Sequence, residues 1–251
     1  FQVPNPLNNG EILTIYNLNR AKQGIVATVD SNSTINKATY DGLELSFNGR
    51  LPHGITLFGG WTAEKTVSVT CDSTDWNQSV GQLTATTGGR AASEITPGLR
   101  FCDQTGNLYQ QLGKNAPMPF RHEYKANVAY QLPLGMSIGV AYISYAGSGI
   151  LTNWVIPAAV FAPVGGRTAT VNMPLESPGT NYLPRWGELD LSVKKTFRLT
   201  GKRRLEADLD IFNVPNTSTV LTQQVNFGPT LGYPTTTIQP LFVKLGGRFW
   251  F

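Results

Sequence analysis

Apolar and polar side chains alternate one for one through run after run of this chain. That period of two constrains the fold more than any other feature, because successive side chains of a strand point to opposite faces. In "ELDLSVKKTFRLT" one face carries Leu189, Leu191, Val193, Phe197 and Leu199, and the other Asp190, Ser192, Lys194, Thr196 and Arg198. In "RRLEADLDIFN" Leu205, Ala207, Leu209 and Ile211 oppose Arg204, Glu206, Asp208 and Asp210. "GLELSFNGRL" sets Leu43, Leu45, Phe47 and Leu51 against Glu44, Ser46, Asn48 and Arg50. "HEYKANVAYQL" sets Tyr124, Ala126, Val128, Tyr130 and Leu132 against Glu123, Lys125, Asn127 and Gln131. Each strand has an apolar side and a side bearing charges of both signs.

The pattern predicts an all-β chain with strands over 10–18, 39–51, 55–69, 121–132, 135–147, 188–199, 203–213 and 240–251. Most are longer than the usual five or six residues and match the roughly 9–11 residues that cross a bilayer at a tilt. Three connections are tight turns, "LPHGI", "LPLGM" and "LTGKR". The others are long, near 19–38, 70–119, 148–187 and 216–239, and the segment 150–175 has room for further hairpins. Strict alternation of short and long connections is the habit of outer-membrane barrels, with short periplasmic turns and long extracellular loops. The fold class expected is therefore a transmembrane antiparallel β-barrel with about eight strands in this chain. A soluble β-sandwich is the competing reading; it requires Leu189, Leu191, Leu205, Leu209 and Val243 to be buried under a second sheet.

Composition fits. Charged residues are only 14% of the chain, and no run approaches the roughly 18 apolar residues of a membrane helix. Trp61, Tyr124, Tyr130, Tyr142 and Phe197 fall on outward positions, and Tyr40, Tyr145 and Trp186 lie near strand ends, as aromatics do at membrane–water boundaries. Two features break the pattern. Lys195 falls on the apolar face near the short-turn end, where its stem can snorkel toward headgroups. Ile143 and Tyr145 make the polar face of their strand less polar than its neighbours.

Chemistry is sparse. His53 sits in a turn and His122 opens a strand beside Glu123, and no nucleophile-elbow pattern accompanies either. Catalysis, a cofactor and a metal site are not expected. Glu206, Asp208 and Asp210 form a column along one strand face, and Lys194, Arg198 and Arg204 are placed to pair with them and with Asp190 across strands. Lys202-Arg203-Arg204 reads as a solvated turn, and the net charge of +4 gives no reason to expect nucleic acid. Cys71 and Cys102 share one polar stretch without a metal-binding His or a CxxC, so a disulfide between them is expected in an oxidising compartment. In "FNVPN", Pro215 cannot donate to a ladder, so the motif reads as strand termination. Asp72, Trp76, Asn77, Arg90, Arg100 and Trp154 are loop residues available to a ligand, with nothing to rank them.

"YLPRWGELDLSVKKTFRLTGKRRLEADLDIFNVPN" resembles the penultimate hairpin of TonB-dependent outer-membrane receptors, above all the large Oar-like receptors of acidobacteria. "ATYDGLELSFNGRLPHGITLFGGWT" resembles an earlier hairpin of those proteins, and "LFVKLGGRFWF" their last strand. The resemblance covers most of 39–251. It implies a 22-stranded barrel holding an N-terminal plug, energised through TonB, for uptake of a bulky solute that the sequence does not identify. Residues 1–251 would then be the C-terminal segment of the barrel, set among outer-membrane lipid and completed by a plug and upstream strands. It also implies that the alternate apolar residues Val243, Leu245, Phe249 and Phe251 are the signal read by the barrel-insertion machinery, and that Phe251 is a natural terminus. Asp190, Lys194, Arg198, Arg204, Glu206, Asp208 and Asp210 would face the lumen. An autonomous eight-stranded barrel with a structural or adhesion role is the alternative; it requires the strand near 10–18 to close on 240–251.

Overall fold

The computed structural model describes residues 2–14, 37–69, 120–157, 171–176 and 181–251, with the single positions 21, 32 and 34. In chain order the strands are β1 (Gln2–Asn5), β2 (Asn8–Thr14), β3 (Lys37–Leu51), β4 (Ile55–Val69), β5 (Arg121–Leu132), β6 (Met136–Tyr145), β7 (Gly149–Ile150), β8 (Asn153–Ile156), β9 (Val171–Pro174), β10 (Asn181–Tyr182), β11 (Trp186–Arg198), β12 (Arg204–Phe212), β13 (Val220–Gln223), β14 (Pro234–Thr237) and β15 (Phe242–Trp250). The fold is all-β and antiparallel.

Seven of these strands form one sheet in the order β15-β12-β11-β6-β5-β4-β3. Every neighbour pair is a hairpin partner or the next long strand along the chain, which is the up-and-down meander that alternating turns and loops dictate. The register carries the apolar pattern across the whole sheet without a slip. One row runs Leu57, Val128, Val140, Leu191, Ile211 and Val243. Another runs Ile55, Tyr130, Ile138, Val193, Leu209 and Leu245. A one-residue slip at any interface would have turned one strand's apolar set to the other face.

The three tight turns lie together at one end of the sheet. Pro52–Gly54 and Pro133–Gly135 are single 3-10 turns of the same build, each a proline followed by two residues in the left-handed region. Gly54 and Gly135 adopt it without a steric cost, but His53 at φ 67° and Leu134 at φ 63° do so with a Cβ in place. The third turn uses Gly201 at φ 76°, closed by the Leu199 amide donating to the Arg203 carbonyl at 3.0 Å.

The small strands pair among themselves as β1-β2, β7-β10, β8-β9 and β13-β14. Within the segment 150–175, the described strands Asn153–Ile156 and Val171–Pro174 pair antiparallel. Leu13, Ile156, Met173 and Leu175 form a compact core, with Val3 and Trp154 packed on it. The N-terminal hairpin is pinned there by the buried Asn5, whose amide donates to the Leu175 carbonyl at 2.9 Å and to Glu11 at 2.7 Å.

This arrangement corrects one expectation. The strand expected over 10–18 is β2, over 8–14, and it pairs with β1 instead of joining the large sheet. Its Leu13 finds its apolar partners in and just beyond β8 and β9. The large sheet therefore has seven strands, with β3 and β15 at its edges, and no closed barrel is formed among the described residues.

Candidate functional site

The apolar face of the sheet is uncovered among the described residues. Leu45 is 54% exposed, Phe47 50%, Val243 52% and Leu245 79%, values that leave no room for a second packed layer over the edges. Leu205 is exposed as well, and Leu189, Leu191 and Leu209 are half-buried, so none of the five residues that a sandwich would bury is buried. In water each large apolar side chain left out forfeits about 1.5–3 kcal/mol of burial, and a patch this broad marks an interaction surface.

At the short-turn end, Lys195 on the apolar face directs its Nζ to the Leu134 carbonyl at 2.6 Å, with the ammonium 5.6 Å from the centre of the Phe197 ring. The stem lies along the face and the charge reaches the turn, as snorkelling requires. At the other end of the same face stands a collar of polar aromatics. Trp61 faces Tyr124 directly across β4 and β5, and Tyr142 faces Ala126 one strand on. The Trp61 indole N–H donates to Nδ1 of the buried His122 at 3.1 Å, with the rings stacked 5.7 Å apart. The sequence places His122 at a strand start beside Glu123; its partnership with Trp61 depends on register and has no local signal.

The opposite face is polar and carries the charged residues read from the sequence. Asp190, Ser192, Lys194 and Arg198 of β11 share it with Arg204, Glu206, Asp208 and Asp210 of β12. Lys194 sits directly opposite Asp208 with Nζ 3.9 Å from its carboxylate. Asp210 accepts from Ser192 Oγ at 2.7 Å and lies 3.9 Å from Lys244 Nζ of β15. Two of the expected pairings do not form. Arg198 lies directly opposite Arg204, and neither makes an ion pair among the described residues, because the register brings like charges together at the turn. Glu206 stands between Thr196 and Arg248 instead.

Of the two apolar residues of β6 on this face, Tyr145 acquires partners. Tyr145 stacks on Trp186 at 4.9 Å, and the Lys125 ammonium lies 5.5 Å from the Tyr145 ring. Phe212 and Phe242 stack at 4.4 Å where β12 meets β15. Among the described residues no three His, Cys, Asp or Glu side chains converge as metal ligands.

"FNVPN" is a structural knot. Asn213 is fully buried at φ 50°, and its amide donates to the carbonyls of Thr217 at 2.9 Å and Gln239 at 2.7 Å. The Asp190 carboxylate accepts from the Asn213 amide N–H at 2.9 Å, so Asp190 serves this corner and not a charge ladder.

In β15, Val243, Leu245 and Phe249 share the apolar face, in register with Ile211, Leu209 and Leu205, while Lys244, Arg248 and Trp250 take the other. Phe251, 98% exposed, stacks on Phe249 at 6.2 Å. Cys71 and Cys102 lie outside the described residues, as do Asp72, Trp76, Asn77, Arg90 and Arg100. Trp154 packs edge-on against Phe227 at 6.3 Å, beside the small core. No family model, no curated protein and no solved structure matches this chain.

Proposed function

We propose that this chain is part of the wall of a bacterial outer-membrane β-barrel. The observation that carries the reading is the uncovered apolar face running in register across seven antiparallel strands, backed by a face of paired charges. Its depth fits. From Leu189 to Phe197 the apolar band of β11 runs from the aromatic collar to the turns, and within its last residues the Lys195 ammonium reaches the turn backbone. About ten tilted residues cover the roughly 25 Å of an outer-membrane apolar band.

Within that class, the resemblance of the 182–216 hairpin and the last strand favours the C-terminal portion of a TonB-dependent receptor that takes up a bulky solute. Among the described residues the edges at β3 and β15 pair with no further strand, which supports a segment completed by further strands. They weigh against the autonomous eight-stranded barrel, whose closing strand β2 is engaged elsewhere. On this reading the polar face lines the lumen and meets a plug, and ligand capture belongs to the long loops. The test is insertion of the full-length protein that carries this chain, refolded from urea, into phosphatidylcholine vesicles, since open strand edges are costly in lipid. Resistance to alkaline carbonate extraction is expected; a chain recovered wholly in the carbonate wash would refute the membrane reading.

A further inference from the structure

Arg185 immediately precedes β11 and folds onto the apolar face at the collar. Its Nη2 donates to the His122 carbonyl at 2.7 Å and its Nη1 to the Ser144 hydroxyl at 3.3 Å. Its guanidinium carbon lies 5.5 Å from the centre of the Tyr124 ring. Gly187, directly across from Ser144, leaves that register position without a side chain. Every one of these partners is neutral. The nearby carboxylates Glu123 and Glu188 project from the opposite face, where Glu123 is held 3.0 Å from Arg121. Arg185 makes no ion pair among the described residues.

A guanidinium carries five N–H donors in a planar fork suited to phosphate. The two hydrogen bonds here occupy two of them. The side chain is half-buried and held from three sides, so its position is set before any anion arrives. We propose that Arg185, on the collar formed with Trp61 and Tyr124, binds the phosphate of an outer-leaflet lipid headgroup. This rests on the membrane reading above, which places the long-loop end of the apolar face at the outer leaflet. A cation fixed among neutral groups at that boundary leaves its charge to the lipid, and an aromatic collar sets the headgroup depth.

The test uses the full-length protein that carries this chain, inserted into digalactosyldiacylglycerol vesicles, whose headgroups hold no phosphate, doped with phosphorylated lipid A or with its dephosphorylated form. Lipid retained after detergent extraction is counted by native mass spectrometry. Preferential retention of the phosphorylated form is expected, weakened about fivefold in Arg185→Gln and to an intermediate degree in Arg185→Lys, which keeps the charge and loses the fork. Equal retention by wild type and Arg185→Gln would overturn the proposal. Displacement by millimolar inorganic phosphate would make this a free-anion site and overturn the lipid assignment. Insertion without any phosphate preference defeats this inference alone, whereas failure to insert defeats the membrane reading along with it.

Discussion

The side-chain amide of Asn213 donates to the backbone carbonyl of Gln239 at 2.7 Å, tying the end of β12 to the start of the last strand. The same nitrogen reaches Thr217, and the side-chain oxygen accepts from the Thr217 amide at 3.1 Å. Asn213→Ala would leave these groups unpaired at a fully buried position and put an alanine at φ 50°. A loss of about 2–4 kcal/mol is expected from urea unfolding. Asn213→Gly should lose less, because glycine takes that backbone conformation freely. Two variants as stable as wild type would show that the knot contributes nothing.

Leu191 and Ser192 are neighbours on opposite faces of β11. If lipid covers the apolar face, Leu191→Arg places a charge near the middle of the bilayer, at a cost of about 2–4 kcal/mol. Ser192→Arg lands beside Asp210 on the polar face and should be tolerated. The yield of carbonate-resistant protein in vesicles should fall for the first variant and hold for the second. Equal yields would argue that both faces meet water.

Gly59 lies beneath Phe47, its direct partner across β3 and β4. A Cβ there would come within 2.6 Å of the Phe47 ring and 2.4 Å of the Lys125 carbonyl oxygen. The ring can turn away, but the backbone oxygen belongs to the ladder and cannot. Gly59→Ala is expected to cost about 1–3 kcal/mol, read as a lowered thermal midpoint. Pairing it with Phe47→Leu should recover only part of that loss.

Leu134 is 84% exposed in a left-handed conformation, and what it supplies to Lys195 is its backbone carbonyl. Asparagine enters that region more readily than leucine. Leu134→Asn should therefore raise stability by about 0.5–1 kcal/mol, seen as a higher urea midpoint with unchanged slope. A drop would mean that the leucine side chain has a partner of its own.

Arg198 faces Arg204, a like-charge pair at the mouth of the β11-β12 turn. Arg204→Glu converts it to an opposite-charge pair and should stabilise by about 0.2–1 kcal/mol at low salt, with the gain shrinking as salt rises. Destabilisation at every ionic strength would indicate that the arginine pair is held by an anion.

The sequence by itself determined what depends on neighbours along the chain. Its period of two assigned Leu189, Leu191, Leu205 and Leu209 to one face and Asp190, Lys194, Asp208 and Asp210 to the other, as observed. Pro, Gly and short spacing marked all three tight turns. Partners across the long connections were decided only by the tertiary structure, because register is a property of two segments and the period of either is the same in every in-phase register. Asp210 meets Lys244 in the observed register, and an offset of two residues would have set Asp208 against Lys244 with every apolar side chain still on its own face. The fate of β2 was equally illegible, since its few alternating residues are satisfied by any apolar surface, and the one they found was Ile156 and Met173. The setting of Arg185 on Tyr124, Ser144 and the His122 carbonyl needs three strands brought side by side, which no local pattern encodes.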